Sequence, residues 1–252
     1  MYQNERLDSI TELVRQYGYV TVKYLASNLH YSTATINRDL NVLEGRGILK
    51  RSYGGVEIAD EGAYVPLPFR YHLSRTEKLK IDKKAAELIE DGDVVFIDAG
   101  TTTEHIAQFL AEKKELTVIT NNIALAARVS EMKIRTIVLG GLIAEPPAMI
   151  WSCETAEDVL KYRADKLFFS SSSATKRGEV YFRESEAKPL MRNMMKQSKK
   201  TYFLIDGDKL TDAPQSGIYY FCDFSAFTGV ISDYEFPPEI KLAFPQTEFI
   251  GI

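Results

Sequence analysis

Cysteine is nearly absent. Cys153 and Cys222 lie far apart and form no metal-type spacing, so they read as free thiols of a reducing compartment. Histidine is equally scarce. His30, His72 and His105 show no zinc pattern, and each is taken as structural or surface. No apolar run approaches a membrane span, and Glu5, Arg6 and Asp8 break any signal-peptide pattern, so the expected location is the cytoplasm. Internal repeats and low-complexity segments are missing too. So is an excess of positive charge: the net charge is −4, which taken alone argues against a nucleic-acid partner. The deficit is uneven, however. Residues 1–58 carry 7 Lys/Arg and 6 Asp/Glu, the remainder 24 and 29. A DNA site in the first segment would rest on a local patch of charge. No cofactor or metal is implied.

What is present begins with an apolar fraction of 45%, ordinary for a globular chain. In residues 5–17, Leu7, Ile10, Leu13, Val14 and Tyr17 fall at helical spacing, and Gly18 ends the helix. Thr21 is an N-cap for a second helix that turns Val22, Leu25, Ala26 and Leu29 inward, followed by the short turn Asn28–Tyr31. Ser32 caps a third helix with Ile36, Leu40 and Leu43 on one stripe and Thr33, Thr35, Asn37 and Arg38 opposite. Gly45 and Gly47 end it. Residues 48–53 read as a strand, Gly54-Gly55 as a tight turn and residues 56–58 as the return strand. A polar-faced helix followed by a basic hairpin is the layout of a winged helix-turn-helix, whose second helix enters the DNA major groove. Candidate DNA contacts are Thr21, Ser32, Thr33, Thr35, Asn37, Arg38 and Arg46 in the helices, and Lys50, Arg51 and Tyr53 in the wing.

Residues 59–73, with Pro66 and Pro68, interrupt any helix and read as a linker. Residues 74–252 form a second domain. Ser74-Arg75-Thr76-Glu77 has the pattern of a capping box opening a helix through about Glu90, with Ile81, Ala85, Leu88 and Ile89 inward. Val94–Ile97 is a fully apolar run, the mark of a strand covered on both faces. From there strand and helix alternate: helices near 102–111, 124–129, 155–161 and 184–198, strands near 116–120, 135–139, 166–169, 201–205, 227–231 and 247–250. The expected fold is α/β, an N-terminal winged helix-turn-helix plus an α/β domain with a mainly parallel sheet. Ligands of such sheets bind beyond the carboxyl ends of the strands. Asp98-Ala99-Gly100-Thr101-Thr102-Thr103 follows the first strand and supplies hydroxyls and free N–H groups suited to phosphate. Asn121 follows the second strand, Gly140 and Gly141 the third, Ser170–Ser173 the fourth, and Asp206-Gly207-Asp208-Lys209 the fifth. Lys209 is a reasonable counter-ion for a phosphate.

These residues carry a family resemblance. Residues 5–56 resemble the DeoR-type winged helix-turn-helix of bacterial sugar-metabolism regulators, through E-R in the first helix, V-x-x-L-A, S-x-x-T-I-x-R-D-L, L-E-x-x-G-x-L-x-R and Y-G-G-V. Residues 74–252 resemble the DeoR-type sensor, a fold related to ribose-5-phosphate isomerases. Its motifs are D-x-G-T-T at Asp98–Thr102, T-N at Thr120-Asn121, G-G at Gly140-Gly141, A-D-x-x-F at Ala164–Phe168, E-A-K at Glu186–Lys188 and D-x-x-K at Asp206–Lys209. The resemblance implies a repressor of a carbohydrate-catabolism operon. Its partners would be double-stranded operator DNA and a small phosphorylated sugar, and its assembly a homodimer or homotetramer. Effector contacts are expected from Asp98, Gly100, Thr101, Thr102, Thr103, Asn121, Gly140, Gly141, Ser171, Ser172, Lys188, Asp206 and Lys209. The chain departs from the pattern where the family has Arg at Asn37, a Gly-x-x-Gly turn at Ser170–Ser173 and Asp-Ser-Ser-Lys at Asp206–Lys209. Two other readings compete. A sugar-phosphate isomerase needs a positioned general base, but the loop where related isomerases carry carboxylates holds serines here, leaving only Asp206 and Asp208; no enzyme is expected. A regulator that has lost its ligand would show no ligand-dependent change in DNA affinity.

Overall fold

Helix α1 (Gln3–Tyr17) turns Leu7, Ile10 and Val14 to one side, the three- and four-residue steps of a helix with one buried face. Gly18, at φ +73°, breaks it. The chain then makes β1 (Tyr19–Thr21), a strand too short to announce itself by alternation. Thr21 caps α2 (Val22–Asn28), its hydroxyl accepting the Tyr24 N–H at 3.1 Å. Ser32 caps α3 (Thr33–Gly45) by accepting the Thr35 N–H at 3.1 Å. The wing follows as β2 (Leu49–Ser52) and β3 (Gly55–Ile58). β3 lies between β1 and β2, antiparallel to both. Tyr19, Val20, Leu25, Ile36, Leu40, Leu43, Leu49 and Val56 join the α1 stripe in one core.

The computed structural model describes residues 3–52, 54–59, 70, 74–145, 149–213 and 218–252. Of the expected linker only Ala59 and Arg70 are among them, and Tyr53 lies outside the described residues. The chain divides into two units, Met1–Leu73 and Ser74–Ile252.

Gly55 holds the first unit together by having no side chain. A Cβ there would strike the Val20 carbonyl oxygen and lie 2.5 Å from the Tyr19 ring. We expect Gly55→Ala to force β1 from β3 and destabilise this unit by about 2–3 kcal/mol, the upper range for overpacking. Chemical denaturation of the full chain, followed through the transition of this unit, measures it; an unmoved midpoint would refute the tight β1–β3 approach.

The second unit opens with α4 (Arg75–Glu87), β4 (Val94–Ile97), a 3-10 turn at Glu104–Phe109, β5 (Thr117–Thr120), α5 (Ile123–Glu131) and β6 (Arg135–Val138). A hairpin, β7 (Ile143–Glu145) and β8 (Met149–Ile150), leads to α6 (Cys153–Asp158), β9 (Ala164–Phe169), β10 (Ser173–Thr175), β11 (Glu179–Phe182) and α7 (Ala187–Lys196). The chain finishes with β12 (Ser198–Ile205), β13 (Leu210–Thr211), β14 (Tyr219–Asp223), β15 (Gly229–Ser232), α8 (Pro238–Ala243) and β16 (Glu248–Gly251).

Seven of these strands form one sheet, ordered β16-β15-β12-β9-β4-β5-β6, with every neighbouring pair parallel. The order reverses between β4 and β9, the place where sheets of this kind receive ligands beyond the strands' carboxyl ends. Both faces are covered. Val95, Ile97, Phe168, Tyr202 and Leu204 pack under α4, α5 and the 3-10 turn. Phe96, Phe169, Phe203 and Ile205 pack under α6, α7 and a second, smaller sheet. That sheet, ordered β13-β10-β11-β14, was not foreseen; β10 runs parallel to β13, and the other pairs are antiparallel. Aromatic rings fill the space beneath it, with Phe203 stacked on Phe227 at 5.1 Å.

Two local expectations are corrected. Ser74 does not cap α4: it sits in the left-handed region at φ +46°, and its hydroxyl donates instead to Asp208 at 2.5 Å. The segment expected to be a helix near 102–111 is a 3-10 turn, because the threonine hydroxyls that begin it are drawn to the neighbouring loops. Among the described residues no helix is long and apolar enough to cross a membrane. Cys153 is exposed and Cys222 half-buried, and both are free.

Candidate functional site

Two places draw the predicted side chains together. The first is the exposed side of α3 with the wing. Thr33, Arg38 and Arg46 are exposed, and Thr35 and Asn37 are half-buried. Thr21 and Ser32 serve first as caps, and the Ser32 and Thr35 hydroxyls lie 2.9 Å apart. The wing cations are already engaged within the unit. Lys50 pairs across the hairpin with Glu57 at 3.1 Å. Arg51 reaches back to α3, where its Nη1 donates to Asn37 Oδ1 at 2.8 Å. Its Nη2 donates to the Asn37 carbonyl at 3.2 Å and to Asn41 Oδ1 at 2.8 Å. Glu44 lies 3.7 Å from its Nε. Arg51, expected as a free phosphate contact, is thus the clasp between wing and helix.

A buried ion pair fixes α3 from the other side. Arg6 of α1 grips Asp39 through Nε at 2.5 Å and Nη2 at 3.0 Å, with only 1% of the Asp39 side chain exposed. The Asp39 hydrogen bond raises the Arg6 pKa, and the guanidinium also lies 4.6 Å from the Tyr31 ring centroid. This pair explains why E-R in the first helix and R-D-L in the third occur together.

The second place is the carboxyl edge of the sheet at β4 and β9, where the strand order reverses. Asp98, just beyond β4, braces the loop that follows: its Oδ1 lies 2.8 Å from Thr103 Oγ1 and accepts the Gly100 N–H at 3.2 Å. Its Oδ2 accepts the Ser170 N–H at 3.3 Å, joining the β4 and β9 loops across the divide. Burial pushes the Asp98 carboxyl up to about 6, against the pull of those hydrogen bonds. Lys209 Nζ donates to Thr102 Oγ1 at 2.7 Å and lies 3.3 Å from Asp206 Oδ2. Ser170 Oγ is 3.5 Å from the same ammonium. With a fifth of its side chain exposed, Lys209 is the charge of this cluster that solvent reaches. Asp206, 2% exposed, is buried behind it.

The remaining candidates are engaged with other partners. Asn121 donates to the Ile150 carbonyl at 2.8 Å and tethers β8. The Gly140 carbonyl accepts from Thr155 at 2.8 Å, and a Cβ on Gly141 would collide with Thr155 and approach Ser152 to 2.7 Å. Ser171 donates to the Ser173 carbonyl, and Ser172 accepts the Arg183 N–H. Lys188 lies half-buried in the first turn of α7.

Two residues of α4 were missed. Lys78, 1% exposed, donates through Nζ to Thr101 Oγ1 at 3.3 Å, so two lysines on different elements hold adjacent threonines of one loop. Asp82, one turn later, is fully buried, and neither of its oxygens has a hydrogen-bond partner of good geometry. Burial drives its carboxyl well above the usual carboxylate range, opposed by the His105 N–H and the charges of Lys78 and Lys209. The signal was in the spacing: Lys78, Ile81, Asp82 and Ala85 share one helical stripe, and charge on a buried stripe needs a reason.

With this geometry in view, comparison with known proteins is specific. Residues 6–62 match the model of the DeoR-like helix-turn-helix domain, and residues 73–234 that of the DeoR C terminal sensor domain. A lactose phosphotransferase system repressor of Staphylococcus aureus is 32% identical over 93% of this chain and 94% of its own. The transcriptional regulator FruR of Bacillus subtilis is 29% identical, over 91% and 88% respectively. The L-fucose operon activator of Haemophilus influenzae is 28% identical over 99% of both chains. Among solved structures, a D-ribose-5-phosphate isomerase aligns with 55% of each chain at 15% identity and a TM-score of 0.41.

Proposed function

As this chain belongs to the DeoR family of transcriptional regulators, we propose that it represses a carbohydrate-catabolism operon and is controlled by a small phosphorylated sugar held at the carboxyl edge of the sheet between β4 and β9. DNA binding belongs to the winged helix-turn-helix. In this reading Thr33, Thr35, Asn37, Arg38 and Arg46 face the duplex, and Lys50 adds charge from the wing. The effector's phosphate takes the place beside Lys209, over the loop Gly100–Thr103.

The observation that carries the effector half is the placing of Lys209. It is a partly exposed ammonium, fixed by Thr102, at the point where a parallel sheet of this order receives ligands. Of the two carboxylates of this loop, Asp206 is buried against Lys209 and Asp208 accepts from Ser74, and the loop after β9 offers serines. The relatives named above are regulators, which supports the same choice.

A thermal-shift panel on the full chain tests it, with phosphorylated sugars, their unphosphorylated parents and free phosphate. A binder at 100 times its dissociation constant adds about 2.7 kcal/mol, a plain rise in melting temperature. The expected hit is a phosphorylated sugar whose parent is silent and which changes the affinity of the chain for its operator. Silence across the panel would refute the phosphosugar reading. A hit without any effect on DNA binding would refute its regulatory role.

A further inference from the structure

Arg51 joins the wing to the helix expected to enter the major groove, and it does so through amide oxygens. A guanidinium has five N–H donors and no acceptor. Any amide atom that hydrogen-bonds to it must therefore be oxygen, which settles the orientation of both side chains. Asn37 Oδ1 lies 2.8 Å from Arg51 Nη1, and Asn41 Oδ1 lies 2.8 Å from Arg51 Nη2. The two amides stand one helical turn apart on α3, both with oxygen turned toward the wing. The clasp is secured at further points: Arg51 Nη2 also meets the Asn37 carbonyl, and the Arg51 backbone N–H donates to Glu44 Oε1 at 3.3 Å. Glu44 at 3.7 Å from Nε offsets the guanidinium's charge.

A free asparagine reads adenine with both ends of its amide, the oxygen accepting from N6–H and the nitrogen donating to N7. With its oxygen turned to Arg51, Asn37 presents its amide N–H groups away from the wing. We propose that Arg51 sets the base preference of this helix by holding Asn37 oxygen-inward, so that Asn37 recognises an acceptor edge in the major groove. Guanine presents O6 and N7 there, and thymine presents O4. Adenine and thymine each present one acceptor, N7 and O4, adenine's beside an amino group that repels a second N–H, and cytosine presents only an amino donor. The Asn37 position of each half-site then selects guanine, the base with two acceptors, over adenine and cytosine. Arg51 is a positioning residue in this scheme: it acts on sequence choice through Asn37.

The inference rests on α3 being the helix that reads the groove. The experiment is selection of bound duplexes from a randomised pool by the full chain, followed by sequencing. Asn37→Ala first identifies the position that Asn37 reads, as the one whose preference disappears. In the wild type we expect guanine there by roughly tenfold over adenine, the scale of one good base contact. Arg51→Ala and Arg51→Met remove the donor and free the amide oxygen, and adenine becomes the preferred base at that position while other positions keep theirs. Melting curves establish that the variants are folded. If neither Arg51 variant folds, the wild-type preference decides alone. Adenine preferred by the wild type at the Asn37 position overturns the proposal. So does an unchanged preference in a folded Arg51 variant, or an Asn37→Ala variant that alters no position. A pool from which the wild type enriches no sequence overturns the DNA reading itself, a different result from any of these.

Discussion

Replacing Arg6 with alanine is expected to cost the N-terminal unit about 3–5 kcal/mol, the usual penalty for leaving one member of a buried ion pair behind. Asp39 has 1% of its side chain exposed, and Arg6 meets both its oxygens. Without the guanidinium, Asp39 keeps, among the described residues, only the Gln3 amide at 3.4 Å. A carboxylate in so dry a place is costly to leave unpaired. A small domain has a total stability of about 5–15 kcal/mol, so a loss on this scale is a large fraction of it. Each kcal/mol moves the melting point of a domain this size by about 4–8 °C, so its calorimetric transition should fall well below that of the sensor unit. DNA binding falls with it. Asp39→Asn in the same chain removes the stranded charge, and the double variant should recover part of the loss. A shift under ~4 °C for Arg6→Ala would mean that the pair contributes little to the packing of α1 on α3.

The second large effect is on the effector. Lys209→Ala should weaken binding of the phosphorylated sugar that stabilises the chain most by roughly 30- to 150-fold. That range corresponds to about 2–3 kcal/mol for a lost hydrogen bond from a charged donor. The loss has two parts. The ammonium that touches Thr102 at 2.7 Å is gone, and Asp206, formerly 3.3 Å from it, is left as an uncompensated negative charge facing the anion. The two parts separate experimentally. Lys209→Arg keeps the charge and should lose less. Asp206→Asn removes the repulsion and should leave affinity equal to or above that of the wild type. Isothermal titration of the full chain measures all three. Unchanged affinity in Lys209→Ala would move the phosphate elsewhere and refute the site proposed here.

The helix-turn-helix was legible because its signals are local: two caps, one apolar stripe, two glycines and a basic hairpin, all within one short stretch. β1 escaped because three residues carry no usable alternation; its existence depends on Gly55 leaving room for Tyr19. The parallel sheet was readable from apolar runs such as Val94–Ile97. The small sheet was not, because its strands are short and a helix and a long strand separate β11 from β13 and β14. The pattern Ser-x-x-Glu at Ser74 misled because a cap requires extended backbone and Ser74 is left-handed. At the sheet's carboxyl edge, the Asp98 loop and Lys209 stood out by residue type. Lys78 and Asp82 sit on a helix face whose apolar members drew attention away from them. Arg51 was assigned by charge alone, and only its geometry reveals that its donors are already committed to Asn37 and Asn41.

Ser74 has one more consequence. It is the first residue of the second unit, held in a backbone conformation that costs a non-glycine residue about 1 kcal/mol or more. Its hydroxyl is tied to Asp208, the residue directly before Lys209. The address at which an anion would be received and the address at which the chain leaves for its other half are therefore one hydrogen bond apart.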